Sequence, residues 1–164
     1  MRVAGIQRDS ITNGIGVRDV IFLQGCPHGC DGCHNRETWN LLGGTEYETI
    51  FDQMKLADTL EDSSNNITIS GGDPLIQWEE LKYFLYYIKV FQHKRFWLYT
   101  GYTYEQIPPE MFREMVTAGV QVLVDGKFEM YNRDPELRFR GSSNQRLIDV
   151  PKTYEAGEIV LWEG

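Results

Sequence analysis

The sequence has few cysteines, three in 164 residues, and none lies outside the span 26–33. An odd count excludes a fully paired disulfide framework. Their crowding into one short segment points instead to metal chemistry in a reducing compartment. Long apolar runs are also missing. The longest are about five residues, against roughly 20 for a membrane-crossing helix. The start, Met1-Arg-Val-Ala-Gly-Ile-Gln-Arg8, turns polar at once, so neither a signal peptide nor a membrane anchor is expected and the location read is cytoplasmic. Positive charge is scarce. Lys and Arg number 16 against 24 Asp and Glu, giving a formal charge of −8. Such a surface repels phosphate backbones and argues against general nucleic-acid binding, while leaving room for a basic partner or a local basic patch. Repeats and low-complexity tracts are absent too. What remains is a chain with 41% hydrophobic and 24% charged residues. Its length suits one domain, 1–164, around one core.

The hydrophobic pattern alternates between strand and helix periods. Residues 2–7 read as an edge strand, and Asn13-Gly14 as the tip of a turn. Residues 17–23 are β-branched and aromatic, as a strand requires. Ile50, Met54, Ala57 and Leu60 recur at helical spacing, predicting a helix over 45–60 capped by Thr45. Strand 66–70 ends at Gly71-Gly72. Asp73-Pro74 then reads as cap and first residue of a helix reaching about His93. A strand at 95–100, a helix at 109–118 closed by Gly119, and a strand at 120–124 follow. Segments 145–150 and 158–162 are candidate short strands. This order predicts an α/β fold with a mostly parallel sheet and crossover helices. Ligands of such sheets sit beyond the carboxyl ends of the strands. The unusual sequences fall there: 26–33, 71–73, 100–102 and 125–127.

The cysteine loop reads Cys26-x3-Cys30-x2-Cys33. Thiolates are the usual ligands of iron–sulfur clusters. On a four-iron cluster, three cysteines leave one iron free for a substrate. Gly25, Gly29 and Gly32 let the loop curl and bring backbone N–H groups near sulfur. Zinc is the rival: Cys26, Cys30 and Cys33 with His34, or with His28, make a Cys3His set. Against it, His34 is adjacent to Cys33, and no second pair of ligands lies elsewhere in the chain.

The stretch Ile21-Phe-Leu-Gln-Gly-Cys-Pro-His-Gly-Cys-Asp-Gly-Cys-His-Asn-Arg-Glu-Thr-Trp39 resembles the radical SAM superfamily, and in it the activating enzymes of glycyl radical enzymes. Asn13-Gly-Ile-Gly16, Ser70-Gly-Gly-Asp-Pro-Leu75, Thr100-Gly-Tyr102, Leu123-Val-Asp-Gly-Lys-Phe128 and Arg140-Gly-Ser-Ser-Asn-Gln-Arg146 extend the likeness to about residue 146. Among these enzymes they are most similar to the activating proteins of anaerobic ribonucleoside-triphosphate reductases. Three positions depart from the pattern. His34 stands where that family has Tyr, Ile15 where it has Pro, and Gly32 where the superfamily often has an aromatic residue. His34-Asn35-Arg36 is instead similar to the pyruvate formate-lyase activating enzyme, which has Glu where this chain has Asp73. The tail motif favours the reductase branch.

The resemblance implies a truncated radical SAM partial (β/α) barrel. It implies a [4Fe-4S] cluster on Cys26, Cys30 and Cys33, with S-adenosylmethionine (SAM) as second cofactor. SAM contacts are expected from Gly32, Cys33, His34, Gly71, Gly72, Asp73, Asp125, Lys127 and Asn144. Asp73 is expected to face the SAM ammonium, although it also suits a helix cap. Lys127, in a segment like Asp-x-Lys of the pyruvate formate-lyase activating enzyme, is expected near the SAM carboxylate. That enzyme's second carboxylate, near a bound cation, falls at Tyr99 here. The implied activity is reductive SAM cleavage to a 5′-deoxyadenosyl radical that takes hydrogen from a glycine of the partner. No catalytic side chain beyond the cluster ligands is expected. The implied partners are the large subunit of an anaerobic ribonucleoside-triphosphate reductase and an electron donor such as flavodoxin. The alternatives are an activase of another glycyl radical enzyme, a small-molecule radical SAM enzyme, or a non-catalytic zinc or iron–sulfur module.

Overall fold

A computed structural model describes residues 1–61 and 63–164. Seven strands form one sheet: β1 (Arg2–Ser10), β2 (Arg18–Leu23), β3 (Thr45–Glu46), β4 (Asn66–Gly71), β5 (Phe96–Tyr99), β6 (Val120–Asp125) and β7 (Arg146–Asp149). Their spatial order is β3-β1-β2-β4-β5-β6-β7. The central four, β2, β4, β5 and β6, run parallel. β1 and β7 pair antiparallel at the flanks, and β3 pairs antiparallel with β1. The fold is therefore α/β with a mostly parallel sheet, as the alternation predicts.

Four helices, α1 (Ile50–Asp58), α2 (Trp78–Gln92), α3 (Pro109–Ala118) and α4 (Val150–Ala156), share one core with a single face of the sheet. Period-2 alternation decides which residues point to it. Ile21 and Leu23, Ile67 and Ile69, and Phe96 and Leu98 bury against Leu56, Trp78, Leu85, Phe112 and Met115 of the helices. The intervening residues face the other way. There Trp97, Val122 and Val124 pack with Phe139, Leu147 and Trp162. A register shift between Phe96 and Trp97 opposite β6 puts Val120 and Leu123 on the same face.

Arg18 projects into the face without helices, buried over the Trp97 ring. Its guanidinium donates to Thr68 Oγ1 at 2.7 Å and Ile67 O at 2.6 Å. Burial pushes its pKa down to about 10. Asn13 O accepts from Thr68 Oγ1 at 2.6 Å, so the turn after β1 seats against this cluster.

Several local expectations are corrected. The first helix starts at Ile50, not at residue 45. Thr49, not Thr45, caps it, in a reciprocal pair with Asp52, while Thr45 is drawn into β3 by pairing with Val3. Segment 158–162 forms only an isolated bridge, Ile148 to Leu161. The helix α4 between them was not expected. Its signals are present: Asp149 accepts from Lys152 N–H, a proline sits in the first turn, and Gly157 closes the helix. Its seven residues are too few to show a clear apolar period. The helix after Asp73 also opens as a 3-10 turn, Pro74–Gln77, before α2 begins.

No helix among the described residues is long and apolar enough to cross a membrane.

Candidate metal centre

The loops that leave the carboxyl ends of β2, β4, β5 and β6 meet on one rim. Backbone bonds knit the first of these loops to the second and the third to the fourth. Gly72 N–H donates to Leu23 O at 2.8 Å and Asp73 N–H to Gly25 O at 2.7 Å. Thr100 N–H donates to Val124 O at 2.9 Å and Gly126 N–H to Tyr102 O at 3.0 Å. The first seam explains Gly71-Gly72. A Cβ at Gly72 would fall 2.1 Å from Gly25 O, and one at Gly71 2.6 Å from Leu23 N. Only glycine lets the second loop press on the backbone of the first.

Cys26, Cys30 and Cys33 are all free and partly buried. Cys33 N–H closes a turn on Cys30 O at 3.2 Å, and Asn35 N–H points at Cys33 Sγ at 3.4 Å. The 3-10 turn Arg36–Thr38 brings the chain back beside the loop, where Gly25 N–H meets Thr38 O at 2.6 Å and Cys26 N–H meets Trp39 O at 3.3 Å. The Gln24 side-chain amide holds that return, donating to Glu37 O at 3.1 Å and Asn40 O at 2.8 Å. Burial pushes the thiols of Cys26 and Cys30 up. The Asp73 carboxylate adds to this at Cys26 and the Cys33 thiol at Cys30, while the Lys127 ammonium opposes it at Cys30. A metal must therefore displace the protons as it binds.

Asp73 is fully buried and hydrogen-bonded all round. Oδ1 accepts from Leu75 N–H at 2.9 Å. The Thr100 hydroxyl lies 2.9 Å from both oxygens. Oδ2 accepts from Gly101 N–H at 2.8 Å and sits 2.6 Å from His28 Nε2. The cap expected of Asp73 is thus present, and three further donors join it. Of those, Thr100 and Gly101 come from a loop the sequence marked without assigning it a partner. His28 entered the sequence reading only as a rival zinc ligand.

Asp125 is likewise buried, but its cation is Arg146. Arg146 Nε donates to Oδ1 at 3.0 Å and Nη2 to Oδ2, while Tyr104 N–H donates to Oδ2 at 2.7 Å. The same guanidinium grips Glu105 with two bonds of 2.9 Å. That pair pulls Glu105 down to about 2 and pushes Arg146 up. Lys127 is exposed and has no ion pair among the described residues. Its carbonyl accepts from Asn144 Nδ2 at 2.8 Å.

The segment 140–146 is organised by Gln145. Its Oε1 accepts from Gly141 N–H at 2.9 Å and Ser142 N–H at 3.2 Å, and its Nε2 donates to Gly126 O at 3.0 Å. His34 is exposed, 5.9 Å from the Phe128 ring, and Met130 lies against Gly32. Gly32 and His34 thus approach the segment after β6 at Met130 and Phe128, while Asn144 meets that segment at the Lys127 carbonyl. Two clefts, of about 430 and 300 Å³, lie away from the cysteine loop. The larger is lined by Lys89, His93, Lys94 and Arg95 where α2 and α3 end, the usual place for cations facing helix carbonyls.

The chain matches the sequence model of the 4Fe-4S single cluster domain over residues 12–148. It is 35% identical over 142 residues to the anaerobic ribonucleoside-triphosphate reductase-activating protein of Pasteurella multocida, covering 82% of this chain and 89% of that one. To the protein of the same name from Enterobacteria phage T4 it is 41% identical over 140 residues, covering 82% and 85%. To that of Haemophilus influenzae it is 36% identical over 141 residues, covering 82% and 89%. The chain belongs to this family of reductase-activating proteins.

The donor set fits the cluster that the domain's description names. Three partly buried thiols share one loop. His28, the candidate zinc ligand that is not adjacent to a cysteine, has its Nε2 committed to Asp73. The buried indole N–H of Trp39, next to the loop's return, has no hydrogen-bond partner.

Proposed function

We propose that this chain activates an anaerobic ribonucleoside-triphosphate reductase as a radical SAM enzyme. The observation that carries the reading is the rim itself. Three thiols on one loop and Gly71-Gly72-Asp73 on the next are joined by backbone bonds at the ends of parallel strands. The family's printed name supplies the partner, the reductase. We read the mostly parallel sheet, helix-covered on one face only, as a shortened and open radical SAM barrel.

Cys26, Cys30 and Cys33 would hold a [4Fe-4S] cluster. With SAM, such a cluster supplies one-electron cleavage of the sulfonium to methionine and a 5′-deoxyadenosyl radical, which takes hydrogen from a glycine of the partner. The chain's part is to bind, orient and exclude water. Gly71 and Gly72, without side chains, would let the SAM ammonium approach the backbone, with Asp73 behind that turn. Lys127, without an ion pair among the described residues, would meet the SAM carboxylate. Asn144 orders the Lys127 backbone, and Gly32 and His34 flank the ligand from the cysteine side. No side chain needs to move a proton, since hydrogen-atom transfer requires no acid or base. A low-potential donor of the flavodoxin type would provide the electron.

The test is anaerobic reconstitution with iron and sulfide, then reductant and SAM, measuring 5′-deoxyadenosine. Adding the reductase should give a glycyl radical signal by electron paramagnetic resonance. One zinc per chain and no 5′-deoxyadenosine, with or without the reductase, would favour a binding module. Cleavage without a radical on the reductase would favour another glycyl radical partner.

A further inference from the structure

His28 lies between two exposed residues, Pro27 and Gly29, yet its side chain is only 6% exposed. Three contacts hold it inward, and none comes from its own loop. Nε2 is 2.6 Å from Asp73 Oδ2, on the loop after β4. The ring stands edge-on to Tyr102, centroids 4.6 Å apart, on the loop after β5. It also lies directly on the backbone of Gly101, where a Cβ would come within 2.4 Å of His28 Cδ2 and 2.6 Å of Nε2. The ring thus fills the space left by a missing side chain and satisfies a buried carboxylate at once.

His28 is also the middle residue of the three that separate Cys26 from Cys30. Fixing its ring fixes the direction in which the chain leaves one thiol and approaches the next. We propose that His28 is a positioning residue: held by Asp73, Gly101 and Tyr102, it locks the Cys26–Cys30 arc against the neighbouring loops and sets how firmly the cluster is retained. It ligates nothing and touches no reacting atom. The inference rests on the cluster reading but needs neither SAM nor the reductase. Groups that orient metal ligands are worth on the order of tenfold or more in metal affinity.

The experiment reads iron release, not turnover. Reconstituted wild-type protein, His28→Ala, His28→Gln and Gly101→Ala are exposed to an iron chelator, and loss of cluster absorbance is timed. The cluster's midpoint potential is measured in parallel. His28→Ala should release iron about tenfold faster and show a shifted potential. His28→Gln, whose amide can still donate to Asp73, should recover most of the wild-type rate. Gly101→Ala leaves His28 in place but takes its room, so it should resemble His28→Ala; it also serves if His28→Ala does not fold. Wild-type release rate and potential in both His28→Ala and Gly101→Ala would overturn the proposal, as would a Gln variant no better than Ala. A wild-type chain that takes up no iron would overturn the cluster reading and this inference with it.

Discussion

Two buried aspartates stand at the ends of β4 and β6, and they are treated differently. Asp125 is neutralised by a guanidinium that is only 31% exposed and carries a second carboxylate as well. Among the described residues Asp73 has no Lys or Arg partner; it is met by a hydroxyl, two backbone N–H groups and an imidazole. A buried carboxylate paired with Arg is a structural fastening, its charge already spent. One met by a hydroxyl, backbone N–H groups and an imidazole instead ties its own loop to two neighbouring loops at once. The difference separates a half of the rim whose carboxylate holds the cysteine loop to its neighbours from a half that fastens the tail strand β7.

Replacing Cys30 or Cys33 with Ala tests the first half most severely. The cluster and 5′-deoxyadenosine formation should disappear together while the apoprotein melts as the wild type does, read by iron analysis and circular dichroism. Survival of SAM cleavage in either variant would dissolve the distinction between the halves. In the second half, Arg146→Ala strands Asp125 without its cation. Breaking a buried pair costs about 3–5 kcal/mol, with the low end expected because Arg146 is partly solvated. Urea unfolding should show that loss, and iron uptake by the folded fraction should be unchanged.

Asp73→Asn removes the charge but keeps the shape. SAM affinity, measured by calorimetry on the reconstituted protein, should fall about tenfold, or about 1.4 kcal/mol. The matching Asp125→Asn change should alter stability more than affinity. Equal effects of the two on SAM binding would break the comparison.

The smallest effect concerns pH. Glu105 is drawn from its ordinary 4.5 down to about 2, first by its bonds to Arg146. A depressed carboxylate stabilises the folded state above its unfolded pKa and loses that contribution as pH falls through the folded value. Stability should therefore decline from about pH 4.5 towards 2. Glu105→Gln should flatten that part of the curve slightly, because the pair is solvent-screened.

Much of this was legible in advance. The strands of the central sheet, the helix at 109–118 and the rim position of the four loops follow from residue periodicity and from glycine and proline placement. The cysteine spacing agrees with the 4Fe-4S single cluster domain that the chain matches. The tail motif identified the family but not its architecture: Gln145 as the hub of 140–146 depends on the fourth rim loop lying beside it. The start of α1 was misread because Thr45 and Thr49 both suit a cap, and only strand pairing with Val3 claims the first.

The sequence by itself determined that three thiols share one rim loop, since residues at fixed spacing in one short segment need no distant partner to meet. It also determined the parallel strands and hence the rim. Only the tertiary structure decided which donors meet each carboxylate. His28, Thr100 and Gly101 reach Asp73 because β5 lies beside β4 and the cysteine loop folds over both. Arg146 reaches Asp125 because β7 pairs antiparallel with β6. Those choices are set by lateral strand order, a long-range property that local spacing does not encode.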